Sequence, residues 1–140
     1  MKVKAHSKKY QLRTLIKPVS DKLLMNLWQE IVKTRADYVC EYPGCNKDKY
    51  LNAHHIHSRS KKSVKFDPDN GMCLCPFHHS LGNDSAHKSP DFKDIIIKAG
   101  VRTKEFYKML TTRANNTAKL DKNLILLDLR NELNKLKEKL

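Results

Sequence analysis

Two short pairs of metal-ligating residues, Cys40-x4-Cys45 and Cys75-x2-His78, bracket residues 46–74 and constrain this chain more than any other feature. Each pair is close enough in sequence for both side chains to reach one ion, and tetrahedral zinc accepts thiolate and imidazole together. A segment of this length cannot bury enough apolar surface to be secure alone, whereas a structural zinc contributes on the order of 10 kcal/mol. The spacing therefore predicts a zinc-stapled unit. Cys73 could replace one of the four. Cys75 is preferred because its separation from His78 suits a turn entering a helix, whereas Cys73, earlier on the same strand, reads as a small buried side chain. Cysteines clustered with histidines favour metal ligation in a reducing compartment over disulfides.

The ion would tie the start of a hairpin to the helix after it. Lys49–Ala53 and Gly71–Cys75 are short strand candidates that can pair as an antiparallel ribbon, and a short helix should begin near Pro76 and carry His78 and His79. Upstream, Ser20 is a good N-cap, Asp21 suits the positive end of a helix, and Leu24, Leu27, Trp28 and Ile31 recur at helical spacing. That stripe reads as core, with no ligand role for Trp28. Downstream, Ser89-Pro90-Asp91 starts a helix that Gly100 stops, and a second covers about Thr103 to Thr112. A last helix runs from about Asp121 to the end, where Leu126, Leu129, Leu133, Leu136 and Leu140 form a seam of about two heptads. The seam can pack on its own domain or pair two chains as a homodimer. The fold class is α+β, divided into a basic N-terminal arm at 1–19, a domain with flanking helices at 20–113 and an amphipathic C-terminal helix at 120–140.

Charge narrows the partners. A formal +13, from 28 Lys and Arg against 15 Asp and Glu, attracts polyanions, and nucleic acid leads among them. No apolar run is long enough to span a bilayer, and the N-terminal lysines are not followed by the apolar core of a signal peptide, so no membrane partner and an intracellular, cytoplasmic location are expected. Lys2, Lys4, Lys8, Lys9, Arg13 and Lys17 could contact phosphates from the arm. Arg59, Lys61, Lys62 and Lys65 form a basic loop suited to the DNA backbone.

The loop lies among histidines. Ala53-His54-His55-Ile56, then Asp69-Asn70, then Leu74-Cys75-Pro76-Phe77-His78-His79 occur in the order that resembles the HNH endonucleases, whose ββα-metal fold is shared by colicin DNases, many phage endonucleases and homing endonucleases. The resemblance covers about residues 38–87, and the framing cysteine pairs are similar to its zinc-containing branch.

The resemblance implies a role for each residue. His55 matches the general base and His54 the metal ligand before it, a position that is often Asp in relatives. Asn70 matches the residue that orients the base across the loop, His79 the second catalytic-metal ligand, and Asn83 a final ligand further along the helix. The chain departs from the pattern in the x4 spacing of its first cysteine pair, its Cys-x2-His second pair and its lack of an acidic catalytic ligand. Imidazole chemistry agrees: a partly neutral His can take a proton from water when its other nitrogen is held. A cation on His54 and His79 would keep open positions for water and phosphate, with Mg²⁺ or Mn²⁺ the first choice and Ni²⁺ or Zn²⁺ compatible with imidazole. The expectation is hydrolysis of double-stranded or branched DNA, leaving a 5′ phosphate and a 3′ hydroxyl, in a protein of phage type. His57 and His87 rank lower as functional residues. A catalytically silent zinc-finger module that only grips nucleic acid is the alternative, and a third is an interaction protein that docks a partner through its last helix.

Overall fold

Ser20 caps the first helix as its sequence position suggests: its Oγ accepts from the Leu23 amide at 3.1 Å. The computed structural model describes residues 18–140, so all but the last two positions of the expected basic arm lie outside the described residues. Helix α1 spans Asp21–Arg35, with Asp21 in its first turn and Lys33 and Arg35 in its last, each complementing the helix dipole. It ends where Asp37 and Tyr38 adopt left-handed φ angles of 52° and 54°. Leu24, Trp28, Ile31 and Val32 are its buried face.

Strands β1 (Asn52–His55) and β2 (Gly71–Leu74) form a two-stranded antiparallel sheet. Asn52 pairs with Leu74, Ala53 with Cys73, His54 with Met72 and His55 with Gly71. The first strand starts three positions later than Lys49 because Tyr50 takes a left-handed φ of 57° and stands out into solvent. That shift carries both histidines into the ribbon. Between the strands, short 3₁₀ turns at Lys62–Val64 and Pro68–Asn70 shape the loop, the second held by the Asp67 carboxylate accepting from the Asp69 amide at 3.0 Å.

Alternation along β2 divides the core between its two faces. Cys73 packs with Trp28 and Val32 of α1, while Met72 and Leu74 pack with Phe92, Ile96 and Tyr107. Those last three come from α2 (Phe92–Lys98) and α3 (Lys104–Ala114). Thr103 caps α3, its Oγ1 accepting from the Phe106 amide at 3.0 Å. Gly71 lets α1 come close: a Cβ there would meet Val32 Cγ2 at 2.2 Å and Trp28 Cζ2 at 3.0 Å.

The last helix, α4 (Lys122–Glu138), is capped by Asp121 and lies on the outer side of α1. Leu129 and Leu133 are buried with Leu24, Ile31 and Phe66, and Leu126 and Leu136 pack against the same cluster. The central leucines of the seam are thus occupied within the chain, leaving Leu140 exposed. The described residues form an α+β arrangement of α4, α1, hairpin and α2 with α3, in which no helix is long and apolar enough to cross a membrane.

Candidate functional site

Cys40 and Cys45 flank a tight knuckle in which Gly44 adopts a left-handed φ of 76° and the Cys45 amide donates to the Tyr42 carbonyl at 3.0 Å. This turns both thiols toward Cys75 and His78, and the ligand atoms of all four lie within 4.8 Å of one another. Cys45 Sγ is 4.0 Å from Cys75 Sγ, and His78 Nδ1 is 3.3 Å from Cys75 Sγ and 3.8 Å from Cys40 Sγ. Zinc–sulfur and zinc–nitrogen bonds of about 2.3 and 2.0–2.1 Å in a tetrahedron require edges of roughly 3.6–3.8 Å. The cluster is geometrically compatible with a structural zinc. Tyr42 stacks on the His78 ring at 3.8 Å, and the Asp84 carboxylate lies 3.8 Å from His78 Nε2, so the ring is held from both sides. Burial pushes the Cys40 thiol up to about 12. At Cys75 burial acts the same way, but the His78 amide and the neighbouring thiols outweigh it, and the net shift is downward. Cys73 points to the opposite face of the sheet, where burial first and the Glu41 carboxylate second raise it to about 11. It is outside the cluster, as a small buried side chain.

A second cluster contains His54, His79 and His87, whose ligand atoms also lie within 4.8 Å of one another. His79 and His87 bring their Nε2 atoms to 3.2 Å. Burial, then the neighbouring imidazoles, push His54 down to about 4, so at neutral pH it keeps a lone pair for a cation. His87 reaches the cluster because the chain after His78 does not continue as a regular helix. Phe77–Leu81 is a single wide turn with the Gly82 amide on the Phe77 carbonyl at 2.8 Å. The chain then reverses, and the Ala86 and His87 amides donate to the carbonyls of His78 and His79 at 2.8 and 3.2 Å. Asn83 sits on the exposed reversal and does not line the cleft that His54, His79 and His87 share. The Gly82-Asn83-Asp84 run was the signal that a turn stood there.

His54 and His55 point to opposite faces of the ribbon, yet both line one cleft of about 700 Å³ together with His79 and His87. They can do so because His55 occupies the end of the strand, in the last pair with Gly71. His55 Nε2 lies 2.9 Å from the Lys65 carbonyl, an acceptor, so the ring proton is on Nε2 and Nδ1 carries the free lone pair. Trp28 stacks under the ring at 3.9 Å and 14°, and donates its indole N–H to the Asp67 carbonyl at 2.8 Å. Burial outweighs the Lys65 bond and lowers His55, leaving it neutral at physiological pH. Asn70 is fully buried: its Oδ1 accepts from the His57 amide at 2.7 Å, and its Nδ2 donates to the His57 and Val64 carbonyls at 3.0 and 3.1 Å. It clamps the chain just after His55 to the loop that carries Lys65.

The basic loop divides. Arg59 lines the histidine cleft with Lys33, whereas Lys61, Lys62 and Lys65 line a neighbouring groove. Sequence reasoning ranked His87 low and gave Trp28 no ligand role, and an apolar stripe gives no hint that one member stacks beneath His55. Compared with known proteins, the chain matches no protein-family model, no curated protein and no solved structure.

Proposed function

We propose that the chain is a metal-dependent endonuclease of the HNH type, hydrolysing DNA phosphodiester bonds in the cleft formed by His54, His55, His79 and His87. One observation carries the reading: among the described residues, a neutral imidazole whose Nδ1 lone pair has no partner lines the same cleft as three converging imidazoles. His55 takes the proton of an attacking water through Nδ1, while the Lys65 carbonyl holds Nε2–H and gains strength as the ring becomes positive. Trp28 keeps the ring plane fixed and favours the imidazolium through its π face. Asn70 keeps the two chain segments that bear these atoms at constant separation. Lys33 and Arg59 on the cleft wall supply charge to orient the phosphate.

His54, His79 and His87 would hold a divalent cation, which when bound offsets the charge on a non-bridging oxygen and on the leaving 3′ oxygen. Three imidazoles without a carboxylate suit Zn²⁺ or Ni²⁺ better than Mg²⁺, so the donor set moves the preferred ion away from the Mg²⁺ or Mn²⁺ expected from sequence. The four-ligand cluster of Cys40, Cys45, Cys75 and His78 serves the ββα-metal scaffold as its zinc staple.

Nicking of supercoiled plasmid by the zinc-loaded protein, titrated with Mg²⁺, Mn²⁺, Ni²⁺ and Zn²⁺, tests the reading. Wild type is expected to nick and His55→Ala to lose about 10²–10⁴ of the rate. Equal nicking by both proteins would remove His55 as base. No nicking with any ion, together with intact DNA binding, would leave the silent zinc-finger module in its place.

A further inference from the structure

Behind the basic loop lies a second, larger concavity that the hydrolytic chemistry does not use. It measures about 750 Å³ and runs between the loop at Ser60–Lys65 and the irregular segment Asn115–Leu120. Its rim carries Lys61, Lys62, Lys65, Lys119 and Lys122. Phe66, Leu120 and Ile125 add apolar lining. Among the described residues, Lys61, Lys62 and Lys119 make no ion pair, whereas Lys65 and Lys122 converge on one carboxylate. Asp21 Oδ1 is 2.8 Å from Lys122 Nζ and its Oδ2 is 3.3 Å from Lys65 Nζ.

An anion with two oxygens held between two ammoniums, beside further cations without partners, has the geometry of a phosphate in a backbone-binding groove. The loop joins this groove to the histidine cleft, because Ser58 and Arg59 line the cleft and Ser60, Lys61, Lys62, Ser63 and Lys65 line the groove. We propose that the groove is a second binding site for the DNA backbone, that a strand crossing the histidine cleft continues over the Ser58–Lys65 loop into it, and that Asp21 occupies a phosphate position there. The proposal rests on DNA being the substrate, and it adds a path for the DNA and a resident competitor for it.

Binding of a fluorescent DNA duplex to the zinc-loaded His55→Ala protein, measured over a range of salt, tests the groove apart from cleavage. Lys61→Ala with Lys62→Ala and Lys119→Ala is expected to lower affinity at least ~tenfold and to flatten the log–log salt slope by about 2.7, since each lost phosphate contact removes about 0.9. Asp21→Asn is expected to raise affinity severalfold. Glu30→Gln makes the same charge change beside Lys137, away from the groove, and should raise it much less. Zinc content and circular dichroism establish that each variant is folded. Unchanged affinity and slope in the triple variant would overturn the proposal, as would equal gains from Asp21→Asn and Glu30→Gln, or loss of phosphatidylserine-vesicle binding with DNA binding intact. Plasmid nicking by the wild type, run in parallel, separates the two ideas. DNA binding through the lysines without nicking leaves the groove and removes the nuclease, and nicking with lysine-independent binding does the reverse.

Discussion

His87 and Asn83 give the sharpest contrast between what a motif suggests and what a backbone does. Both follow His79 within a few positions, but only His87 is carried back to it, by its own amide on the His79 carbonyl. His87→Ala is therefore expected to weaken Ni²⁺ binding in the cleft at least ~10-fold by calorimetry, and Asn83→Ala to leave it unchanged. Indistinguishable titrations would dismiss the three-imidazole site. Asn70 makes a different demand, because its bonds satisfy three backbone groups at a fully buried position. Leaving even one of them unpaired costs about 1–3 kcal/mol, so Asn70→Ala should lower stability by at least that amount in denaturant titration. A variant as stable as wild type would show that water replaces the amide. Asn70 was legible from sequence through its place before a strand. The indole beneath His55 was not, because the meeting of α1 with the strand end is a tertiary event that helical periodicity cannot foretell.

Helices were the legible elements, and for local reasons. Ser20, Thr103 and Asp121 stand at the starts they cap, and each bonds an amide two or three residues on. The first strand was displaced because its boundary depends on the left-handed Tyr50, a conformation that no residue type there announces. The turn after Pro76 was expected to be an ordinary helix, and the wide turn that replaces it is what directs the chain back through Ala86 and His87. Contact between α1 and the hairpin depends on Gly71 having no side chain. Gly71→Ala is expected to cost about 1–3 kcal/mol through overpacking against Val32. Adding Val32→Ala should recover part of the loss, so that the double variant is more stable than the sum of the singles predicts. Strict additivity would mean that the methyl is accommodated by some other movement.

Two independent devices are built into the described residues, a four-ligand cluster compatible with zinc on one side of the hairpin and the α1–α4 leucine packing on the other. Chelation should remove the cooperative unfolding transition, and Cys45→Ser should lose bound zinc while Cys73→Ser retains it, as metal analysis of purified protein will report. Zinc loss from Cys73→Ser would contradict the ligand set. Leu129, 2% exposed, sits in the middle of the other device. Leu129→Ala is expected to cost about 2–5 kcal/mol, with a midpoint that does not depend on protein concentration because the contact lies within one chain. A midpoint that rises with concentration would mean that α4 also joins two copies.

His78 and His79 are consecutive, one facing the thiols and the other the open cleft, on a single wide turn. The two clusters are therefore geared together through one peptide bond. A larger soft ion in the knuckle, such as cadmium with its longer bonds to sulfur, would shift the turn and with it the donor atom of His79. On the proposed function, an ion in the knuckle would act as a gauge block for the chemistry next door, and exchanging it would alter the tolerance of a site that it never touches.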